Sequence, residues 1–282
     1  MSVDYTSMSP DTPKPVRENA RFFLLYFFST SSFENMAVDY TSMSPDTPKP
    51  VRENARSFLM YFRMAFLGYG AAAALGGALV YANLPTYLTI GAVAPTFAHL
   101  AAARLTPIRG STREVETVDK KEEFMASELF KKGPIMVMAV RRPGCMLCRR
   151  EAAELHKLLP LLKEKGIELA AVVHESRGAN EFKSYFSGGD VYLDADRTFY
   201  GPNQRWLPHW IGFLRFGTYA NVYNAKKAKI EGNMEGEGRL LGGVYLIANN
   251  DIVYTHLEKE WGDAANIDEV RAAIEKFGNK AK

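Results

Sequence analysis

Cys145 and Cys148 are the only cysteines in this 282-residue chain, and together they make one Cys-x-x-Cys. A disulfide scaffold spreads its cysteines along the chain to close long loops. A pair this close constrains the unfolded chain very little. A structural zinc site needs two further ligands at suitable spacing. The five histidines, His99, His156, His174, His209 and His256, are scattered, so neither a metal nor a cofactor is expected. Thiol redox chemistry remains. The thiolate is the reactive form, and a helix start favours negative charge. Arg141, Arg142, Arg149 and Arg150 add positive charge within a few residues, and Arg142, Arg149 and Arg150 are expected to support the thiolate. One helical turn lets Cys148 reach the sulfur of Cys145. Cys145 is then the more exposed, attacking thiol, and Cys148 resolves the mixed disulfide.

That chemistry needs a strand to deliver the pair and a helix to receive it. Ile135–Val140, IMVMAV, is a continuous apolar run suited to a central buried strand. Arg141-Arg142-Pro143-Gly144 makes the turn, with Pro143 and Gly144 as the backbone of the site. From Cys145 an amphipathic helix runs to a cap at Gly166, with Pro160 as a kink. Phe124–Lys132 reads as a helix, Ile167–His174 as a second buried strand, Ala179–Phe186 as a helix and Val191–Asp194 as a short strand. Gly243–Ala248 and Ile252–Leu257 read as strands joined by Asn249-Asn250-Asp251, a hairpin signal, and Asn266–Phe277 as a closing helix. A parallel βαβ core with an antiparallel hairpin is the thioredoxin layout. The expected fold is α/β and thioredoxin-like, a central mixed sheet flanked by helices, over residues 124–282 with an insert at 199–240.

The N-terminal third is different in kind. Residues 3–21 and 38–56 are the same text, VDYTSMSPDTPKPVRENAR. Two Pro- and Ser-rich copies cannot stack into a core. Residues 1–56 therefore read as a disordered duplication, of an exon or of a gene model, with Met36 as an alternative start. Residues 57–104 form an apolar segment that includes AFLGYGAAAALGGALVYANL at 65–84. About 20 apolar residues span a bilayer as a helix. A membrane anchor, a signal peptide cleaved after Val80-Tyr81-Ala82 and a packed soluble helix are the three readings. Residues 105–123, polar and charged, read as a linker.

The segment MAVRRPGCMLCRREAAEL, Met138–Leu155, resembles the redox segment of the peroxiredoxin-like 2 family. FYGPNQR (Phe199–Arg205), GNMEGEG (Gly232–Gly238) and LGGVYLI (Leu241–Ile247) are similar to that family too. The resemblance implies a thioredoxin-like fold, an antioxidant or redox-regulatory role, and a redox pair at Cys145 and Cys148. A sister branch reduces prostaglandin H2 or its ethanolamide, which adds endoperoxides to the substrate classes. Two departures stand out. Peroxide-specific peroxiredoxins carry Pro-x-x-x-Thr-x-x-Cys, whereas Arg142 and Cys145 occupy the Thr position in the two frames. Thioredoxins place a cis-proline opposite the pair, whereas this chain has Leu241-Gly242-Gly243. Gly242 and Gly243 would permit close backbone approach to the sulfur site.

Other candidates are lesser. Trp206, Trp210, Phe213, Phe216, Tyr219 and Tyr223 in the otherwise irregular insert alternate with basic residues. They read as a lid, a membrane-surface contact or an extra packed helix. His174, ending a strand, is a candidate proton donor or a solvated strand end. Glu235 and Glu237 lie in a glycine-rich polar loop. The net charge of +3 is too small for nucleic-acid binding. The expectation is a thiol oxidoreductase acting on peroxide, endoperoxide or disulfide, recycled by thioredoxin or glutathione, with a redox-switched regulatory binding protein as the alternative. A cytoplasmic, membrane-anchored location is expected, with secretion the alternative.

Overall fold

The computed structural model describes residues 49–111 and 115–280. The duplication up to residue 48, with Met36, and positions 112–114 lie outside the described residues. Two compact units divide between Gly70 and Ala71. The described part of the first is helical, and its large apolar side chains, among them Tyr61, Phe62 and Leu67, are exposed.

The elements run in this order. Helix α1 is Lys49–Asn83, followed by the short α2 (Thr86–Thr89) and α3 (Phe97–Ala101). Strands β1 (Arg104–Arg109), β2 (Thr117–Val118) and β3 (Phe124–Met125) precede α4 (Ala126–Lys132) and β4 (Ile135–Val140). Then come α5 (Met146–His156), α6 (Leu159–Glu164), β5 (Glu168–Val173), α7 (Ala179–Phe182) and β6 (Asp190–Leu193). The insert supplies α8 (His209–Leu214) and α9 (Phe216–Lys227). Strands β7 (Gly243–Ala248) and β8 (Asp251–Leu257) and helix α10 (Ile267–Lys280) end the fold.

The sheet order is β2-β1-β6-β5-β4-β7-β8, with β3 also on β1. Strands β4, β5 and β6 are parallel; β7, β8 and β1 are antiparallel to their neighbours. This is the mixed thioredoxin-like sheet flanked by helices that the sequence predicts. Strand β4 is central and buried along its whole length, as a continuous apolar run with no polar face requires. Its side chains alternate between two cores. Met136, Met138 and Val140 join the layer that holds Cys145, Cys148 and Leu155. Ile135, Val137 and Ala139 join Leu105, Phe199 and Tyr245 on the other face. Asn249 and Asn250, at φ 53° and 58°, close the β7–β8 hairpin, the left-handed pair that a two-residue turn demands.

Five expectations change. Residues 49–56, read with the disordered duplication, are the first turns of α1. Residues 105–123 are not wholly a linker, because β1 pairs with β6 and brings Leu105, Thr106 and Ile108 into the interior. The insert is not irregular, since it carries α8 and α9. The helix at Ala179 stops at Phe182 rather than Phe186. The helix after Cys145 breaks at His156, and Pro160 starts a second helix, where its missing N–H costs nothing.

Candidate active site

Buried β4 ends at Val140, and the chain turns through Arg141–Gly144 to Cys145, the N-cap of α5. Cys145 has extended backbone angles, φ −77° and ψ 129°. Its N–H donates to the Arg142 carbonyl (3.1 Å), and its own carbonyl accepts from Arg149 N (3.0 Å). The first-turn N–H groups of α5 therefore open toward the sulfur.

Both cysteines are free thiols, and both are buried, at 5% and 4% exposure. Cys145 is thus not the exposed thiol that the spacing suggests. The 231–238 loop lies over the turn that leads into Cys145. Asn233 N donates to Gly144 O (2.7 Å), and Met234 O accepts from Arg142 Nη1 (3.1 Å). Glu237 N donates to Glu175 Oε1 (2.8 Å). Gly232 lies so close to Met146 N that a Cβ there would overlap it, and a Cβ on Gly144 would overlap Asn233. Loop and turn can touch only because both positions lack side chains.

The electrostatics divide the two sulfurs. The hydrogen bond from Cys148 holds the Cys145 thiol well below the ordinary thiol value. Arg141, Arg142 and the Leu147 N–H act in the same direction, and burial opposes them. The same hydrogen bond, then burial, pushes Cys148 well up. Arg141 Nη2 reaches Cys145 Sγ at 3.2 Å. Its Nε pairs with Glu258 Oε1 at 3.1 Å, and its Nη1 donates to Gly238 O at 2.9 Å. Burial works against the Arg141 charge, but Cys145, Cys148 and Glu258 outweigh it. Glu258 in turn accepts from Gly242 N and Gly262 N, both at 2.9 Å. Arg205 caps the group from behind, donating to the carbonyls of Gly242 (2.7 Å) and Glu258. Trp261 lies 5.9 Å from the Arg141 guanidinium carbon.

The other arginines turn elsewhere. Arg149 donates to Pro143 O (3.0 Å) and Glu231 O (3.2 Å) and pairs with Glu181 (2.6 Å). It fastens the turn and the covering loop. Arg150 Nη2 donates to Gly262 O at 3.0 Å. Arg142 acts on Cys145 through charge alone. Gly242 and Gly243 do make close approaches, but to backbone: Gly242 lies against Ala139 O and Gly243 against His256 O. His174 is buried rather than solvated. Burial lowers its pKa, and the neutral ring donates from Nε2 to the Arg141 carbonyl at 2.8 Å. It buttresses the turn. Glu258 and Trp261 carry no sequence signal, since neither lies near the pair in the chain; Arg205 lies within FYGPNQR, a segment with its own family likeness.

A mixed sheet that delivers paired cysteines to a helix start is the architecture of a thioredoxin-fold protein. Residues 154–260 match the family described as AhpC/TSA antioxidant enzyme, a span that begins after the cysteine pair. Peroxiredoxin-like 2A of Danio rerio is 40% identical over 214 residues, covering 74% of this chain and 95% of that protein. Peroxiredoxin-like 2A of Mus musculus is 39% identical over 221 residues, covering 75% and 93%. The chain belongs to the peroxiredoxin-like 2 family. Among solved structures, Xanthomonas campestris Peroxiredoxin Q superposes with a TM-score of 0.41 at 13% identity, covering 66% of this chain and 98% of that one.

Proposed function

We propose that the protein is a thiol-based antioxidant oxidoreductase in which Cys145 is the nucleophile and Cys148 resolves. The observation that carries this reading is the Arg141–Cys145 contact at 3.2 Å, with Cys148 as a second donor to the same sulfur. The Cys145 thiolate attacks one oxygen of a peroxide. The O–O bond breaks, the departing oxygen takes a proton, and Cys145 becomes a sulfenic acid. The Cys148 sulfur attacks that sulfur, water leaves, and a disulfide closes. A dithiol such as thioredoxin, or two glutathiones, reduces it through a mixed disulfide. Endoperoxides and disulfides are reduced by the same two-electron chemistry. The buried Arg141, four residues before Cys145, supplies positive charge beside the sulfur.

Peroxide consumption coupled to a thioredoxin system tests the reading. Cys145→Ser is expected to abolish turnover; full activity in that variant would overturn it. The covering loop favours a second reading, a redox-switched binding surface, because disulfide closure under residues 231–238 would disturb Asn233 and Met234. A partner captured in one redox state without peroxide turnover selects it.

We place the domain in a reducing compartment on the cytoplasmic face of a membrane. Two things support this: both cysteines belong to the redox pair, and Met60–Asn83 is long and apolar enough to cross a bilayer. Secretion after cleavage at Ala82 is the alternative, and alkaline extraction of isolated membranes separates the two.

A further inference from the structure

Five large aromatic residues of the insert stand in solvent. Trp210 is 47% exposed, Phe213 54%, Phe216 65%, Tyr219 58% and Tyr223 67%. On α9 the spacing of three and four puts Phe216, Tyr219 and Tyr223 on one stripe. The opposite side of that helix packs against the domain. Thr218 and Ala225 are buried, Asn221 donates to Trp261 O (3.1 Å), and the helix packs on α5. Exposed aromatics grouped on one face mark an interaction surface.

We propose that this face of α8 and α9 seats in the headgroup layer of a lipid bilayer, as a collar beside the end of α1. The partner is identified by continuity. Met60–Asn83 spans ~36 Å at ~1.5 Å per residue, against ~30 Å of hydrocarbon. It ends where the collar begins. Tyr81 stacks on Trp210 with ring centres 6.0 Å apart. Asn83 donates to Leu214 O (2.9 Å) and accepts from Phe216 N (3.0 Å). Arg215 donates to Leu84 O (3.0 Å) and to Thr86 Oγ1 (2.8 Å). The α8–α9 corner is thereby fixed to the residue at which the span stops. Trp and Tyr are the residues that favour the lipid–water boundary. Lys226 and Lys227 finish the stripe in the exposed last turn of α9, where anionic headgroups would attract them.

The test needs no thiol chemistry, so its outcome is separate from the redox reading. The full chain is reconstituted, reduced and without substrate, in phosphatidylcholine vesicles containing phosphatidylserine. The acyl chains are brominated either near the headgroup or near the bilayer centre. Shallow bromines are expected to quench tryptophan emission more than deep ones. Trp210→Phe is expected to lose most of that quenching. Phe216→Glu with Tyr223→Glu is expected to cut it severalfold at an unchanged unfolding midpoint, since both side chains are exposed. Quenching that is absent in the wild type, equal at both depths, or unaltered by Trp210→Phe overturns the proposal. So does a cross-linked pair of chains in which Trp210 is shielded from bromine, which would make a second copy the occupant.

Discussion

Arg141 Nη2 lies 3.2 Å from Cys145 Sγ while the Nε of the same guanidinium lies 3.1 Å from Glu258 Oε1. One buried cation is thus held between a sulfur and a carboxylate. A charge-assisted hydrogen bond contributes about 1.5–3 kcal/mol, and about 1.4 kcal/mol is tenfold in an equilibrium. Arg141→Gln is therefore expected to move the pH midpoint for alkylation of Cys145 upward. At neutral pH the alkylation rate is expected to fall about tenfold to a hundredfold. Iodoacetamide kinetics across a pH series check this, with circular dichroism as the control for folding.

Removing the carboxylate tests the other half of the pair. Glu258→Ala leaves Arg141 buried without its counter-charge and deprives Gly242 N and Gly262 N of their acceptor. Breaking a buried pair in this way costs about 3–5 kcal/mol. A denaturant titration is expected to show a lower midpoint with little change in slope.

Cys148→Ala separates two roles of one residue. It removes the leading cause of the low Cys145 pKa, so the thiol is expected to ionise at higher pH. It also removes the resolving sulfur. Mass spectrometry after peroxide addition is expected to find Cys145 as sulfenic acid or as an adduct with the added thiol, with turnover stopped after the first cycle.

Glu151 predicts a pH dependence of stability. Burial is the main cause that raises its carboxyl from 4.5 to about 8, helped by Glu258 and Asp263 and opposed by the Ala265 N–H. Between those values the folded chain holds a proton that the unfolded chain has released. Stability from this group is thus complete below pH 4.5 and is lost by about pH 8. Glu151→Gln keeps an acceptor for Ala265 N, 2.9 Å away. The variant is expected to flatten the decline, and unfolding midpoints compared near pH 5 and pH 8 read the difference.

The covering loop gives a steric prediction. A methyl group at Gly232 would overlap Met146 N, so Gly232→Ala is expected to lift the loop. Bulky maleimides are then expected to label Cys145 faster than in the wild type, with a smaller gain for iodoacetamide. Equal labelling by both reagents in both proteins would remove the loop as the barrier.

Strand β4, the helix start at Cys145 and the β7–β8 hairpin are legible in sequence because local pattern sets them: an unbroken apolar run, a turn before a periodic segment, an Asn-Asn pair. Strand β1 is not legible. Pro107 and charged ends disguise it, and only pairing with β6 makes it a strand. Helix α9 hides for the opposite reason. Its large aromatics face outward, so its apolar pattern does not mark its buried side. The arginines show a similar limit. Four lie within a few residues of the thiols, but nearness in the chain does not set side-chain direction. Arg149 bends back to Pro143 O, and Arg141 reaches forward to the sulfur.

The partner that holds Arg141 against the sulfur lies 117 residues further along the chain. During synthesis the cysteine pair leaves the ribosome long before Glu258 exists. A nascent chain therefore carries Arg141 without the carboxylate that sets its direction. Arg141 is fixed between sulfur and carboxylate only when β8 docks beside β7 and Glu258 reaches it. The clamping of Arg141 is thus a late event, coupled to completion of the sheet.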